Sequence, residues 1–278
     1  MAWSTLGFGV LFGLLGSLLL FGAGLRIVLR DKHLVLVDAL WGLSFVVIAA
    51  LGFINSLIPW SPDAVGARGV GLRQAVLLAT VALWGLRLAL HLNRRNQGQG
   101  EDARYAALLA RTPGPFATVA LQRVFLPQGV VSFFIALPIL VGMAVREPVG
   151  WSFWVGVAVW AVGFGFEAVG DAQLMAFREQ PSNRGKILDT GLWGLSRHPN
   201  YFGDATVWTG VWLMASGPLL GWLTVVSPLA MTYLLYARTG KALLERTMAA
   251  HRGPEYLDYV ERVSGFFPLP PKKRKNRN

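Results

Sequence analysis

The chain has 278 residues, 54% hydrophobic and only 15% charged, with a mean hydropathy of +0.46. That balance excludes a soluble globular domain and fits a polytopic membrane protein. The absence of cysteine excludes disulfides, thiolate catalysis and Cys-ligated metals.

Spanning ~30 Å of hydrocarbon takes ~20 mostly apolar residues. Seven segments meet that need, near residues 4–29, 34–58, 70–92, 126–145, 151–172, 200–216 and 219–239. The apolar runs are continuous, without the alternation of a β-barrel, so the predicted fold class is all-α with seven transmembrane helices. The first segment carries no Lys or Arg ahead of it and no small-residue cleavage site, so it reads as a span rather than a signal peptide.

The net charge of +11 is distributed by side. Arg26, Arg30 and Lys32 follow the first segment, Arg94, Arg95, Arg104, Arg111 and Arg123 the third, and Arg178, Arg184, Lys186 and Arg197 the fifth, while the other side holds Arg68, Arg73 and Arg146. The positive-inside rule then puts the N-terminus outside and the C-terminus in the cytoplasm, the parity that seven helices require. This pattern argues for contact with lipid headgroups and against nucleic acid. The tail from Pro270 to Asn278 reads as a disordered basic segment near anionic lipid. The whole chain reads as one membrane-embedded domain, with 269–278 as tail.

Polar residues inside spans are expensive and mark sites. Asp38 opens the second segment and reads either as a helix-end carboxylate paired with Arg87 or Arg30, or as an acid facing a cavity. Arg87 and His91 are four apart and share a helix face. Glu167, Asp171 and Arg178, at separations of 4, 7 and 11, lie on one stripe of a helix that continues past the membrane. Gly163-Phe-Gly165-Phe-Glu-Ala168 matches a loose dinucleotide fingerprint. It lies inside a predicted membrane helix, however, where small residues serve helix packing. Trp3, Trp60, Trp151, Trp154 and Trp222 read as interfacial belt residues. The four histidines His33, His91, His198 and His251 are scattered, so no metal site is expected.

The densest signal is Gly191-Leu-Trp-Gly-Leu-Ser-Arg-His-Pro-Asn-Tyr-Phe-Gly-Asp204. Pro199 fits the first turn of a helix. A helix mouth faced by Arg178, Lys186 and Arg197 suits an anion. Asn200 and Asp204, four apart, offer a donor and an acceptor for a primary amide or ribose hydroxyls.

This stretch, with Asp38-Ala-Leu-Trp-Gly42, Trp84-Gly-Leu-Arg87, Gly100-Glu-Asp-Ala-Arg-Tyr105 and Tyr256-Leu-Asp-Tyr259 followed by Phe266-Phe-Pro268, resembles the steroid 5α-reductase superfamily over nearly the whole chain, most of all its bacterial membrane members. The resemblance implies a seven-helix oxidoreductase that uses NADPH to reduce the Δ4 double bond of a 3-oxo-steroid or a related lipophilic enone. It implies that Asn200 and Asp204 hold the nicotinamide end with Tyr201 beside it, and that Asp171 and Arg178 hold the adenosine and phosphate end. Glu167, Lys186, Arg197, His198, Arg238 and Tyr259 complete the implied cofactor set. Mammalian members pair a second-helix Glu with a third-helix Tyr at the ketone. Asp38 takes the Glu position, but residues 70–92 hold no tyrosine, so Trp84, Arg87 or His91 would serve, and Asp38, Trp84, His91 and Tyr201 form the catalytic set.

Hydride addition to an enone needs a fixed donor at the carbonyl oxygen. A buried, protonated Asp38 could donate directly or orient His91. Two other readings stand beside this one. An isoprenylcysteine-type methyltransferase shares Arg-His-Pro-x-Tyr-x-Gly and the pattern from Glu245 to Tyr259, and would bind S-adenosylmethionine. A non-enzymatic sterol-binding membrane protein would bind its ligand without cofactor.

Overall fold

The computed structural model describes residues 1–60, 71–98, 100–238 and 240–273, without the side chains of 242–244, 246, 247 and 249–252. Arg68, the last five residues of the basic tail and the His251 side chain lie outside the described residues. The described elements are helical, apart from one isolated bridge between Ser196 and Ser264.

Six helices among the described residues are long and apolar enough to cross a membrane. They are α1 (Trp3–Asp31), α2 (Leu36–Ser56), α3 (Leu72–Asn96), α5 (Phe116–Ile135), α7 (Trp151–Glu179) and α9 (Leu219–Arg238). Three further helices are α4 (Ala103–Arg111), α6 (Leu137–Ala144) and α8 (Pro199–Ala215), and α10 (Lys241–Arg262) follows α9.

Two expected spans differ. The segment expected at 200–216 forms α8, whose 17 residues reach about 26 Å, short of ~30 Å of hydrocarbon. Its polar start at Asn200 and its end before Gly217-Pro218 set that length. The segment expected at 126–145 begins ten residues earlier, at Phe116, and breaks at Ala136 before α6. Pro127 lacks an N–H, and the ladder before it relaxes into a π turn over Ala120–Phe125 instead of ending the helix.

The chain divides into two compact units. The first holds Met1–Trp154 and Val211–Ser227. Small residues let its helices approach closely: a Cβ on Gly42 would sit 2.7 Å from the Gly85 carbonyl oxygen, and one on Gly85 would sit 2.7 Å from that of Gly42. Arg73, buried on α3, donates to the Met214 and Ser216 carbonyls at the end of α8. Gln74 donates to the carbonyl of Val145 just beyond α6. These side chains satisfy carbonyls that helix ends leave open. Trp60 stacks on Phe8 and donates to Asn55, while Trp3 and Trp151 are exposed.

The second unit holds Val155–Gly210 and Pro228–Asn278. Here α7 and the first part of α8 meet backbone to backbone. A Cβ on Gly203 would lie 2.4 Å from the Glu167 nitrogen, and one on Gly163 would lie 2.5 Å from the Val207 nitrogen. Of the two glycines in the apparent dinucleotide fingerprint, Gly163 therefore serves helix packing inside α7, as expected, whereas Gly165 faces open space. In α10, Gly253 adopts φ +64°, which lets Pro254 restart the helix after a kink.

Candidate functional site

In the second unit α7 carries Glu167 and Asp171, both buried, on the face toward the start of α8. The Asn200 amide donates to Asp171 Oδ1 at 2.9 Å, and its own oxygen accepts from the Tyr201 N–H at 3.0 Å. Asp204, one turn further into α8, is buried. The expected partnership of Asn200 with Asp204 along α8 is thus joined by a cross-helix partner, Asp171. A carboxylate that takes one amide proton fixes the amide's orientation, which a helix mouth needs in order to present donors in a set direction.

The loop before α8 is built by two short 3-10 turns, Pro181–Asn183 and Gly191–Gly194. Gln173 accepts from the Leu192 N–H at 3.0 Å and fills the space where Gly191, at φ +60°, has no side chain. A groove of about 290 Å³ lies along this loop, lined by Gln173, Phe177, Gln180, Asn183, Leu188 and Thr190. Arg178, Arg184 and Lys186 are exposed on the same stretch. Arg238, expected at the cofactor, is exposed on the π turn that ends α9.

Arg197 and His198 face inward. Arg197 lies 9% exposed, with Nε on Glu245 Oε1 at 2.8 Å and Nη1 donating to the Val260 and Val263 carbonyls at 2.9 and 2.6 Å. His198 Nε2 meets the same carboxylate oxygen at 3.3 Å, and Lys241 Nζ lies 3.2 Å from the other. Burial and the nearby Arg197 and Lys241 hold the His198 imidazole below its ordinary value, although Glu245 pulls it up. Burial pushes Glu245 up, but the hydrogen bonds and charges of His198, Arg197 and Lys241 outweigh it and hold its carboxyl down to about 2. The His198 and Tyr201 rings stack with centroids 5.5 Å apart and planes 4° apart. Tyr259 donates to the Trp193 carbonyl at 2.7 Å, so it acts on the loop, and burial raises its hydroxyl well above the ordinary range.

In the first unit Asp38 sits in the first turn of α2, where the helix N-terminus favours a carboxylate. Its pairing was expected with Arg87 or Arg30. Residues 95–105 also supply partners: the Tyr105 hydroxyl, donating to Oδ1 at 2.6 Å, Arg104, donating to Oδ2 at 2.8 Å, and Arg95 at 3.7 Å. One donor on each oxygen holds this carboxyl in a fixed orientation. Burial and the neighbouring Asp38 charge raise the Tyr105 hydroxyl far above the ordinary range. Tyr105 arrives on α4, whose N-terminus is capped by the Asp102 side chain. Trp84 is fully buried against Phe45, and His91, seven residues on, is half-buried about two turns along the same face of α3.

Sequence reasoning missed two residues. Tyr105 lies in Gly100-Glu-Asp-Ala-Arg-Tyr105, where Asp102 before a short helix was a readable cap signal. Glu245 lies in the pattern that reaches to Tyr259, which named it without a contact. Among the described residues no group of three or more His, Asp or Glu could hold a metal ion.

Comparison with known proteins bears on this arrangement. Residues 25–263 match a family described as "Protein of unknown function (DUF1295)". "Probable O-methyltransferase ustE" of Ustilaginoidea virens is 37% identical over 65 residues, 23% of this chain. The matched stretch spans 22% of that relative's length. No solved structure matches.

Proposed function

The chain belongs to the DUF1295 family, and we propose that it is a membrane oxidoreductase that reduces the conjugated C=C bond of a 3-oxo-steroid or similar lipophilic enone with NADPH. The observation that carries this reading is the Asn200 amide held by buried Asp171 at the mouth of α8, beside a stretch bearing Arg178, Arg184 and Lys186. These residues fit the cofactor. An oriented amide suits a carboxamide, the buried Glu167 and Asp204 carboxylates suit hydroxyl donors, and exposed arginines suit phosphates. The groove along 173–191 has the mixed apolar and amide lining that a nucleobase needs.

NADPH would supply the hydride. Asn200 and Asp204 would hold and aim the nicotinamide end, Tyr201 would border it, and Arg178 and Lys186 would take the phosphates. Arg197, Tyr259 and His198 would act from behind, by fixing the loop. At the substrate, the Tyr105 hydroxyl would turn its one proton from Asp38 to the carbonyl oxygen, with Arg104 holding the carboxyl it leaves. Trp84 and His91 would then shape the pocket instead of donating. Developing negative charge on the carbonyl oxygen would be met by a donor whose position is already set.

A second reading is favoured by one finding. The relative from Ustilaginoidea virens carries an O-methyltransferase name, and Arg197, His198, Tyr201 and Glu245 belong to the pattern shared with membrane methyltransferases. S-adenosylmethionine has no phosphate, whereas Arg178, Arg184 and Lys186 ask for one. Titration with NADPH, NADH and S-adenosylmethionine separates the readings. NADPH should bind tightest and Arg178→Ala should weaken it by about tenfold, the scale of one lost charge-assisted contact. Tighter binding of S-adenosylmethionine would reverse the order of the two readings.

With α8 counted as the seventh crossing, the N-terminus lies outside and the cofactor site faces the cytoplasm of an inner membrane. Cysteines introduced at Val65 and Lys275 should label from opposite sides. Labelling of both from one side would reject that topology.

A further inference from the structure

The motif loop is gripped by the C-terminal segment. The Arg197 N–H donates to the Ser264 carbonyl at 2.8 Å, Ser196 Oγ donates to the Phe266 carbonyl at 2.8 Å, and the Leu269 N–H donates to the Leu195 carbonyl at 3.0 Å. These backbone contacts form a strap, and its side-chain counterpart converges on Glu245. Arg197 reaches that carboxylate with Nε at 2.8 Å and Nη2 at 2.7 Å, His198 reaches it at 3.3 Å and Lys241 at 3.2 Å. Arg197 and His198 are only 9% and 7% exposed at their side chains, so the pairing is not a solvated surface bridge. With Nη1 on the Val260 and Val263 carbonyls, the Arg197 fork spans α10, the strap and the loop at once. The position of His198 passes on to Tyr201 through their parallel stacked rings.

We infer that Glu245 is a positioning residue for the Arg197–Asp204 motif, gathering Arg197, His198 and Lys241 so that α10 and the strap set the orientation of the first turn of α8. Arg197 is then the anchor of the site instead of an anion ligand. What Asn200 and Tyr201 present to a ligand depends on this grip, and the ligand itself rests on the function proposed above. Glu245→Gln keeps one acceptor oxygen but turns an NH2 toward either Arg197 and His198 or Lys241, and leaves the Arg197 and Lys241 charges without their carboxylate. Glu245→Asp keeps the charge.

Two readouts on the full chain in nanodiscs test this. The first is amide hydrogen exchange over residues 200–204 without any nucleotide; the second is NADPH affinity, with S-adenosylmethionine run alongside. Glu245→Gln should lower protection at 200–204 by about tenfold or more, and Glu245→Asp should recover it to within about threefold. Asp189→Asn, which breaks the exposed pair with Arg262 on the same loop, should leave 200–204 as in wild type. NADPH affinity should follow protection across the series. Arg197→Lys keeps the charge but loses the fork, and should give the same local loss, which decides the matter if the Gln variant does not fold. The inference falls if Glu245→Gln and Arg197→Lys both leave protection unchanged, or if Asp189→Asn lowers it equally. If protection falls as expected but wild type binds no NADPH, the inference stands and the proposed function falls.

Discussion

At the scale of single residues, the two acid sites differ in how they are supported. Asp38 has donors on both oxygens, Tyr105 at 2.6 Å and Arg104 at 2.8 Å, so its value lies in accepting. Tyr105→Phe removes the hydroxyl while keeping the ring that packs with Val37 and Val124. It should cut turnover of a Δ4-3-oxo-steroid by about 100-fold or more, the scale of a lost charge-stabilising donor, with NADPH affinity unchanged. Asp38→Asn should behave alike in steady-state assays. If Tyr105→Phe turns over normally while His91→Ala does not, the donor role returns to α3. The sequence made Asp38 legible because a carboxylate at a span is costly, but its partner lay 67 positions away on a separate short helix. No periodicity on α3 could announce it. Arg197 is a related case: its charge was plain, whereas its partner Glu245 is 48 positions away and draws the guanidinium inward.

At the scale of elements, α7 and α8 are the frame of the candidate site. The Glu167–Asp171 stripe and the helix start at Pro199 were readable from spacing and from proline chemistry. Their mutual approach was not, because glycine in a membrane helix says only that something comes close. Gly203→Ala would put a Cβ 2.4 Å from the Glu167 backbone nitrogen, so the two helices must part. It should destabilise the protein by about 1–3 kcal/mol, the usual cost of overpacking. Gly165→Ala meets nothing within 4 Å and should be neutral. Thermal unfolding in detergent compares the two. Equal effects would return Gly165 to the dinucleotide-loop reading that its helical setting argues against. The fourth span was misplaced for a similar reason: hydropathy marks apolar length, and the π turn ahead of Pro127 leaves no trace in it.

At the scale of the whole molecule, composition alone announced a helical membrane protein, and six helices of spanning length and character are present among the described residues. The proposed orientation rests on the charge asymmetry and would put the basic stretch from Arg178 to Lys186 on the cytoplasmic side. The identity of the reaction is carried by chemistry at a few positions, so it is the part that needs a direct test. That test is deuterium transfer: the purified protein in nanodiscs is given NADPH deuterated at nicotinamide C4, in each stereoisomer, with a Δ4-3-oxo-steroid, and the product is examined by mass spectrometry. The account predicts a reduced steroid that gains one deuterium at the β-carbon from one stereoisomer, and no transfer in Asn200→Ala. Unreduced steroid from both stereoisomers, with methyl transfer from S-adenosylmethionine to a lipophilic acceptor in the same preparation, would contradict it.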